Sequence, residues 1–275
     1  MNKKVGLNSP LTQVRDLESG LRRCGLAIRL SRASQSAAFR RTILGPFWFT
    51  LEQLLFILAF GFIAAAIFGD NFRDRIFHVG IGLWVFGLVS DLCVGPARIV
   101  EKYSGFRNAD LPHSFGAVRY VVEVVHSALY KLMGLLPIVM LGNYEIYRWE
   151  SLVVISHVFV GLVTLGYGMS LAVSTLCIRF RDLKPMLDLA GRLAFFVTPV
   201  FWKIEDLGNT SSGHTLQQIQ MYNTFSVFLD PITAVFSGDS VSASEIERLW
   251  LHSSLALVVG LTVFSALGSR FRAWL

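Results

Sequence analysis

Phe49, Gln53, Phe56 and Phe60 recur at steps of four, three and four residues, and Glu52 lies beside them. On a helix this spacing gathers three rings and an amide on one face. Such a face is poorly suited to lipid. It suits a passage for a sugar chain, with rings stacking on sugar C–H faces and the amide and carboxylate meeting hydroxyls. It equally suits helix–helix packing with Glu52 at headgroup level. Arg119, Glu123, His126 and Tyr130 share a second face, with Arg119–Glu123 and Glu123–His126 at pairing distance. Asp188 and Arg192 form a third i, i+4 pair, and both sets read as structural networks. Asp91 and Lys131 have no partner that spacing reveals. Small residues recur at four-residue steps, Gly166, Ser170 and Ser174 in one place and Ala256 with Gly260 in another, a spacing that lets helices approach closely.

These groups do not assemble into an enzyme. GxxxxGK[ST], HExxH and GxSxG are absent, and none of the six histidines begins an HxxxxD pattern. Cys24, Cys93 and Cys177 are isolated, so neither a disulfide framework nor a metal site is expected. Titratable groups scattered over different depths favour transport or a scaffold role over catalysis.

The elements that hold these residues are hydrocarbon. The chain has 275 residues, 53% hydrophobic and 16% charged, with a mean hydropathy of +0.53. Six spans are expected, at 47–68, 77–94, 118–141, 151–178, 186–202 and 250–269. The fifth sits near the lower length limit. One membrane domain, 47–275, follows a cytoplasmic segment, 1–46. With the N-terminus inside, seventeen Lys and Arg fall on cytoplasmic segments. Only Arg73, Arg75, Arg148, Lys203 and Arg248 fall outside. That bias fits an even span number with both termini cytoplasmic. The net charge of +6 is thereby an effect of topology, and no nucleic-acid partner is expected.

Before the first span, Ser9-Pro10 reads as a helix start. Val14, Leu17, Leu21, Cys24 and Ile28 then recur at three- and four-residue steps, with Arg15, Arg22, Arg23 and Arg29 elsewhere around the helix. Such a basic amphipathic helix lies in the membrane interface or docks on a partner. Gly20 and Gly25 weaken it. The net-acidic stretch 203–247 contains apolar pieces, 221–229 and 231–236, too short to cross a bilayer. Short re-entrant helices are expected there, with a solvated loop as the alternative.

Four motifs in register carry a resemblance over residues 38 to 275. Arg40-Arg41-Thr42-Ile43-Leu44-Gly45-Pro46-Phe47-Trp48 leads into the first span. Arg179-Phe180-Arg181-Asp182-Leu183 follows the fourth. Thr198-Pro199-Val200-Phe201-Trp202 closes the fifth, and Asp230-Pro231-Ile232-Thr233-Ala234 precedes the last. The chain resembles type-2 ABC exporter permeases, especially those of polysaccharide and polyol phosphate export, with Asp230 where the family more often has Asn.

The resemblance implies an all-α integral membrane permease in the bacterial inner membrane. It implies a homodimer resting on separate cytoplasmic ATPase subunits that bind the ATP and magnesium, with no cofactor in this chain. The implied substrate is a lipid-linked glycan. By position, channel-lining candidates are Phe49, Gln53, Phe56, Phe60, Trp84, Phe86, Phe195, Phe196, Phe201 and Trp202. Adjacent residues such as Phe195 and Phe196 point about 100° apart, so only some can face a channel. Candidates for coupling to the ATPase are Glu101, Lys102 and Arg107, and, in the turn after the fourth span, Arg179, Arg181 and Asp182. An exporter of drugs or small lipids is the alternative within transport.

Overall fold

The computed structural model describes residues 10–99, 111–141, 149–207 and 211–267. Among these residues there are ten α-helices and no strand. They are α1 (Pro10–Arg22), α2 (Cys24–Ala38), α3 (Trp48–Phe68), α4 (Phe72–Cys93), α5 (Phe115–Leu141), α6 (Trp149–Arg179), α7 (Leu183–Val197), α8 (Ser211–Tyr222), α9 (Thr224–Ser237) and α10 (Ala243–Leu267).

Five of them, α3 to α6 and α10, are long and apolar enough to cross a membrane. The fifth expected span differs. It is α7, with 15 residues and a rise of only about 22 Å. The helix stops because Pro199 disfavours helical backbone at Thr198, which is extended (φ −77°, ψ 138°). Its last carbonyls are not left bare: Gln220 Nε2 donates to Val197 O at 2.7 Å, and Thr198 Oγ1 donates to Ala194 O at 2.8 Å.

The bundle is built around α4. More than half of its most apolar window is buried (56%), against 17% for α3. Ile76, Ile81, Val85, Val89 and Leu92 of α4 meet α5, α6 and α9 in one large core. A tight turn joins α3 to α4. Gly69 takes the left-handed conformation (φ 72°) that ends α3, and the Asn71 side chain caps α4 by accepting from Arg73 N at 3.1 Å. The most extensive helix pair is α6 with α10. There a side chain on Gly168 would strike the Ala256 carbonyl, and one on Gly260 would strike the Gly168 carbonyl.

The N-terminal helix is broken at Arg23 (φ −89°, ψ 17°) into α1 and α2. Val14, Leu21, Cys24 and Ile28 of the expected apolar face are exposed, while Leu17 packs against the bundle. The docking surface is instead small and polar. Gly20 abuts Ser114, and Ala27 and Ser31 are fully buried against α5. Asp16 accepts from the His113 and Ser114 N–H groups, each at 2.9 Å, ahead of α5. Burial alone would raise the Asp16 carboxyl, but hydrogen bonds from His113 and Ser114 outweigh it and leave its pKa lowered.

Of the apolar pieces after Trp202, Met221–Tyr222 end α8 and the rest form α9. Asn223 caps α9 by accepting from Phe225 N at 3.1 Å. Phe228, Leu229 and Ile232 of α9 are buried against α4, α6 and α10, so this short helix belongs to the bundle rather than to a loose loop.

Candidate functional site

Helix α7 carries a hub of aromatic rings. The Phe195 ring lies 5.9 Å from Phe60 of α3, 5.3 Å from Phe86 of α4, 5.6 Å from Phe196 and 5.9 Å from Phe201. Phe60 continues the row by stacking on Phe56 at 6.1 Å, and Phe86 stacks on Phe225 of α9 at 4.7 Å. Rings from four helices and the turn after α7 thus form one connected array. Edge and offset arrangements of this kind are each worth only about 0.5–1.5 kcal/mol. Phe56 and Phe196 are exposed at the array's margins.

The other aromatic and polar candidates sit elsewhere. Phe49 pairs with Phe39 at 5.1 Å. Gln53 lies against Gly134 of α5, and its buried Nε2 has no hydrogen-bond partner among the described residues. Trp84 donates to Ala128 O at 3.0 Å inside the bundle. Trp202 is buried and donates to Phe196 O at 3.2 Å. Sequence spacing did not point to Phe225, because the ring it stacks on, Phe86, is 139 residues away in the chain.

Charged groups flank the array. Asp91 of α4 pairs with Lys131 of α5 at 3.0 Å, partners that lie on different helices and so were invisible to spacing. Asp188 pairs with Arg98 at 2.9 Å rather than with Arg192, since the Gly95–Arg98 turn brings Arg98 alongside α7. Glu123 does meet Arg119 at 3.4 Å, and it also accepts from Ser34 of α2 at 2.8 Å. His126 bonds Ser31 at 2.9 Å. Polar residues of α5 therefore fasten α2 to the bundle.

At the other end of α7 is a buried clamp. Arg75 is fully buried and grips Asp206 with two bonds, at 2.8 and 3.0 Å, while also pairing with Asp70. It reaches Phe201 O at 3.4 Å, and His78 contacts Trp202 O at 3.1 Å. Burial disfavours the Asp206 charge, but the bonds from Arg75 and from Lys203 N prevail and hold its pKa below the ordinary value. The clamp fixes the turn that presents Phe201 to the hub.

Arg179 at the end of α6 and Arg181 and Asp182 in the turn before α7 are exposed, with the Arg179 guanidinium 5.7 Å from the Phe180 ring centre. Glu101, Lys102 and Arg107 lie outside the described residues. Among the described residues no group of His, Cys, Asp and Glu is placed to hold a metal ion.

Comparison with protein-family models gives no match. Among curated proteins the chain is similar to O-antigen export system permease proteins RfbA. One from Klebsiella pneumoniae is 22% identical over 256 residues, covering 90% of this chain and 93% of the relative. One from Myxococcus xanthus is 24% identical over 192 residues, 68% and 72% of the two chains. A second Klebsiella pneumoniae protein is 21% identical over 253 residues, 90% and 93%. The similarity is low in identity and close to full-length in extent.

Proposed function

We infer that this chain is the transmembrane permease of an ABC exporter for polysaccharide, of the type-2 kind. The observation that carries this reading is the near full-length similarity to O-antigen export permeases in a chain with five helices long and apolar enough to cross a membrane. The chain is a transport subunit. ATP is bound and hydrolysed by a separate cytoplasmic ATPase, and the cargo is a lipid-linked glycan.

In this reading α7 completes a sixth, short crossing, aided by the turn after it, and both termini face the cytoplasm of the bacterial inner membrane. The lysine and arginine bias supports that orientation. Two copies face each other across the exposed apolar surfaces of α3 and α7, where Phe56, Phe62, Leu189, Leu193 and Phe196 are uncovered. The aromatic array then borders the conduit. Rings bind sugars weakly and without demanding one register, which lets a polymer slide. Helices α8 and α9 dip into the outer leaflet with their backbone satisfied against protein.

The same geometry offers a route for force. The exposed Arg181–Asp182 turn is continuous with α7, a rigid helix whose far end carries Phe195. A push from the ATPase on this turn moves the aromatic hub. A second push reaches α5 through α2, which Ser31 and Ser34 fasten to His126 and Glu123.

The test is co-purification with the partner ATPase and export in a strain lacking the permease. Lipid-linked polymer should remain cytoplasmic without it and be exported when it is restored. Replacing Arg181 and Asp182 together with alanine should leave insertion intact and reduce ATPase association or turnover. Unchanged export by that variant would remove the turn from the coupling route.

A further inference from the structure

An open cleft of about 480 Å³ separates α4 and the Gly95–Arg98 turn from α7. Its two ends differ in chemistry. One is apolar and formed by Phe86, Phe195 and Phe196. The other is charged and formed by Asp91, Arg98, Asp188 and Arg192. Along α7 the charged and aromatic ends, Asp188 and Phe195, are seven residues apart, a rise of about 10 Å. In the orientation proposed above, the charged end lies toward the cytoplasm and the rings lie deeper in the membrane.

The charges of the cleft do not cancel. Asp91 is matched by Lys131 at 3.0 Å and Asp188 by Arg98 at 2.9 Å. Arg192 makes no ion pair among the described residues, so one guanidinium is left facing a space walled partly by rings. A guanidinium presents paired donors in a plane, which fits the oxygens of a phosphate. Arg98 is well placed to join it, since its side chain is 59% exposed and held by one carboxylate.

We propose that this cleft binds the phosphate head of a membrane lipid carrier, with Arg192 and Arg98 on the phosphate oxygens and the Phe86–Phe195–Phe196 end on the first hydrocarbon units. This rests on the permease reading, which makes a lipid-borne cargo the ligand. The site itself follows from the cleft: an unmatched cation, Arg192, and apolar rings that begin about 5 Å deeper along α7 select an amphiphile over a free anion or a plain lipid.

The test uses the full chain in phosphatidylcholine nanodiscs, without ATPase, titrated calorimetrically with farnesyl diphosphate, inorganic diphosphate or farnesol. Farnesyl diphosphate should bind at least tenfold more tightly than either of the others. Arg192→Gln should weaken it at least tenfold and Arg192→Lys by less. Phe196→Ala should weaken farnesyl diphosphate while sparing inorganic diphosphate. Asp188→Asn frees Arg98 and should tighten binding several-fold, a rise that loss of folding cannot imitate. Phe159→Ala, on the exposed face of α6, should change nothing.

Equal binding by wild type and Arg192→Gln overturns the proposal. Inorganic diphosphate binding as tightly as farnesyl diphosphate makes this a free-anion site, and farnesol doing so makes it a plain apolar groove; either also overturns it. No binding together with normal ATPase association removes the site and spares the permease reading. Binding without any ATPase association does the reverse.

Discussion

Removing the Arg75 clamp is expected to loosen the turn that carries Phe201. Arg75 is fully buried, while the side chains of Asp206 and Asp70 are 14% and 33% exposed. Arg75→Met takes away two bonds to Asp206, the pairing with Asp70 and the contact to Phe201 O. Breaking a buried pair from one side costs about 3–5 kcal/mol, because the remaining charge loses its partner. Here the remaining carboxylates can reach water, so the lower end, about 3 kcal/mol, is expected. Asp206→Asn keeps the shape and one acceptor and leaves Asp70 to balance Arg75, so it should cost about 1.5–3 kcal/mol, the range for a hydrogen bond to a charged group. If the residues act as one unit, the double variant costs about as much as Arg75→Met alone. The coupling then equals the Asp206→Asn cost, about 1.5–3 kcal/mol. The assay is reversible unfolding in detergent for the four members of the cycle, with hydrogen exchange of the 198–206 amides as the local readout. Exchange there should rise in both single variants. Additive costs within about 0.5 kcal/mol, or unchanged exchange across 198–206, would refute the clamp.

Two further outcomes follow from packing and charge. Gly260→Ala places a methyl against the Gly168 carbonyl, where no side-chain rotation relieves it, so a loss of about 1–3 kcal/mol is expected. Gly87→Ala, with open space at the same kind of position, should be neutral or gain up to about 1 kcal/mol in the same unfolding assay. Asp230 of α9 is raised from 3.8 to about 7, first by burial and then by Glu245, with Arg248 opposing. The fold therefore holds a proton that the unfolded chain releases, and stability falls as pH rises from about 4 to 7. Asp230→Asn should raise the melting temperature at pH 8, by a free energy of at most about 4 kcal/mol. It should give no gain at pH 4; an equal gain at both pH values would show that titration is not the cause.

Run length alone made the long helices legible, because an unbroken apolar stretch near 20 residues has few other uses. The 47–68, 118–141 and 151–178 spans match α3, α5 and α6 to within three residues at each end. Two spans were read short because their ends are polar: α4 starts at Phe72, ahead of Arg73, Asp74 and Arg75, and α10 starts at Ala243, ahead of Glu245, Glu247 and Arg248. Local spacing located the Arg119–Glu123 pair, since both partners sit on one helix. It misplaced Asp188, whose partner Arg98 arrives from a turn 90 residues away. Arg75 counted only as a charge beyond the membrane, because nothing near it in sequence announces Asp206, 131 residues on. The N-terminal apolar face was correctly periodic, yet the fold docks a neighbouring strip of small and polar residues about a quarter-turn around the helix, which keeps Val14, Leu21 and Ile28 exposed.

The most direct measurement of the central claim is transport itself. The chain and its partner ATPase are placed in sealed proteoliposomes with fluorescent lipid-linked O-antigen in the outer leaflet and ATP outside. Labelled glycan should become shielded from an external quencher only when ATP, the ATPase and this chain are all present. Shielding that proceeds without this chain, or its absence with all three components assembled, would contradict the account.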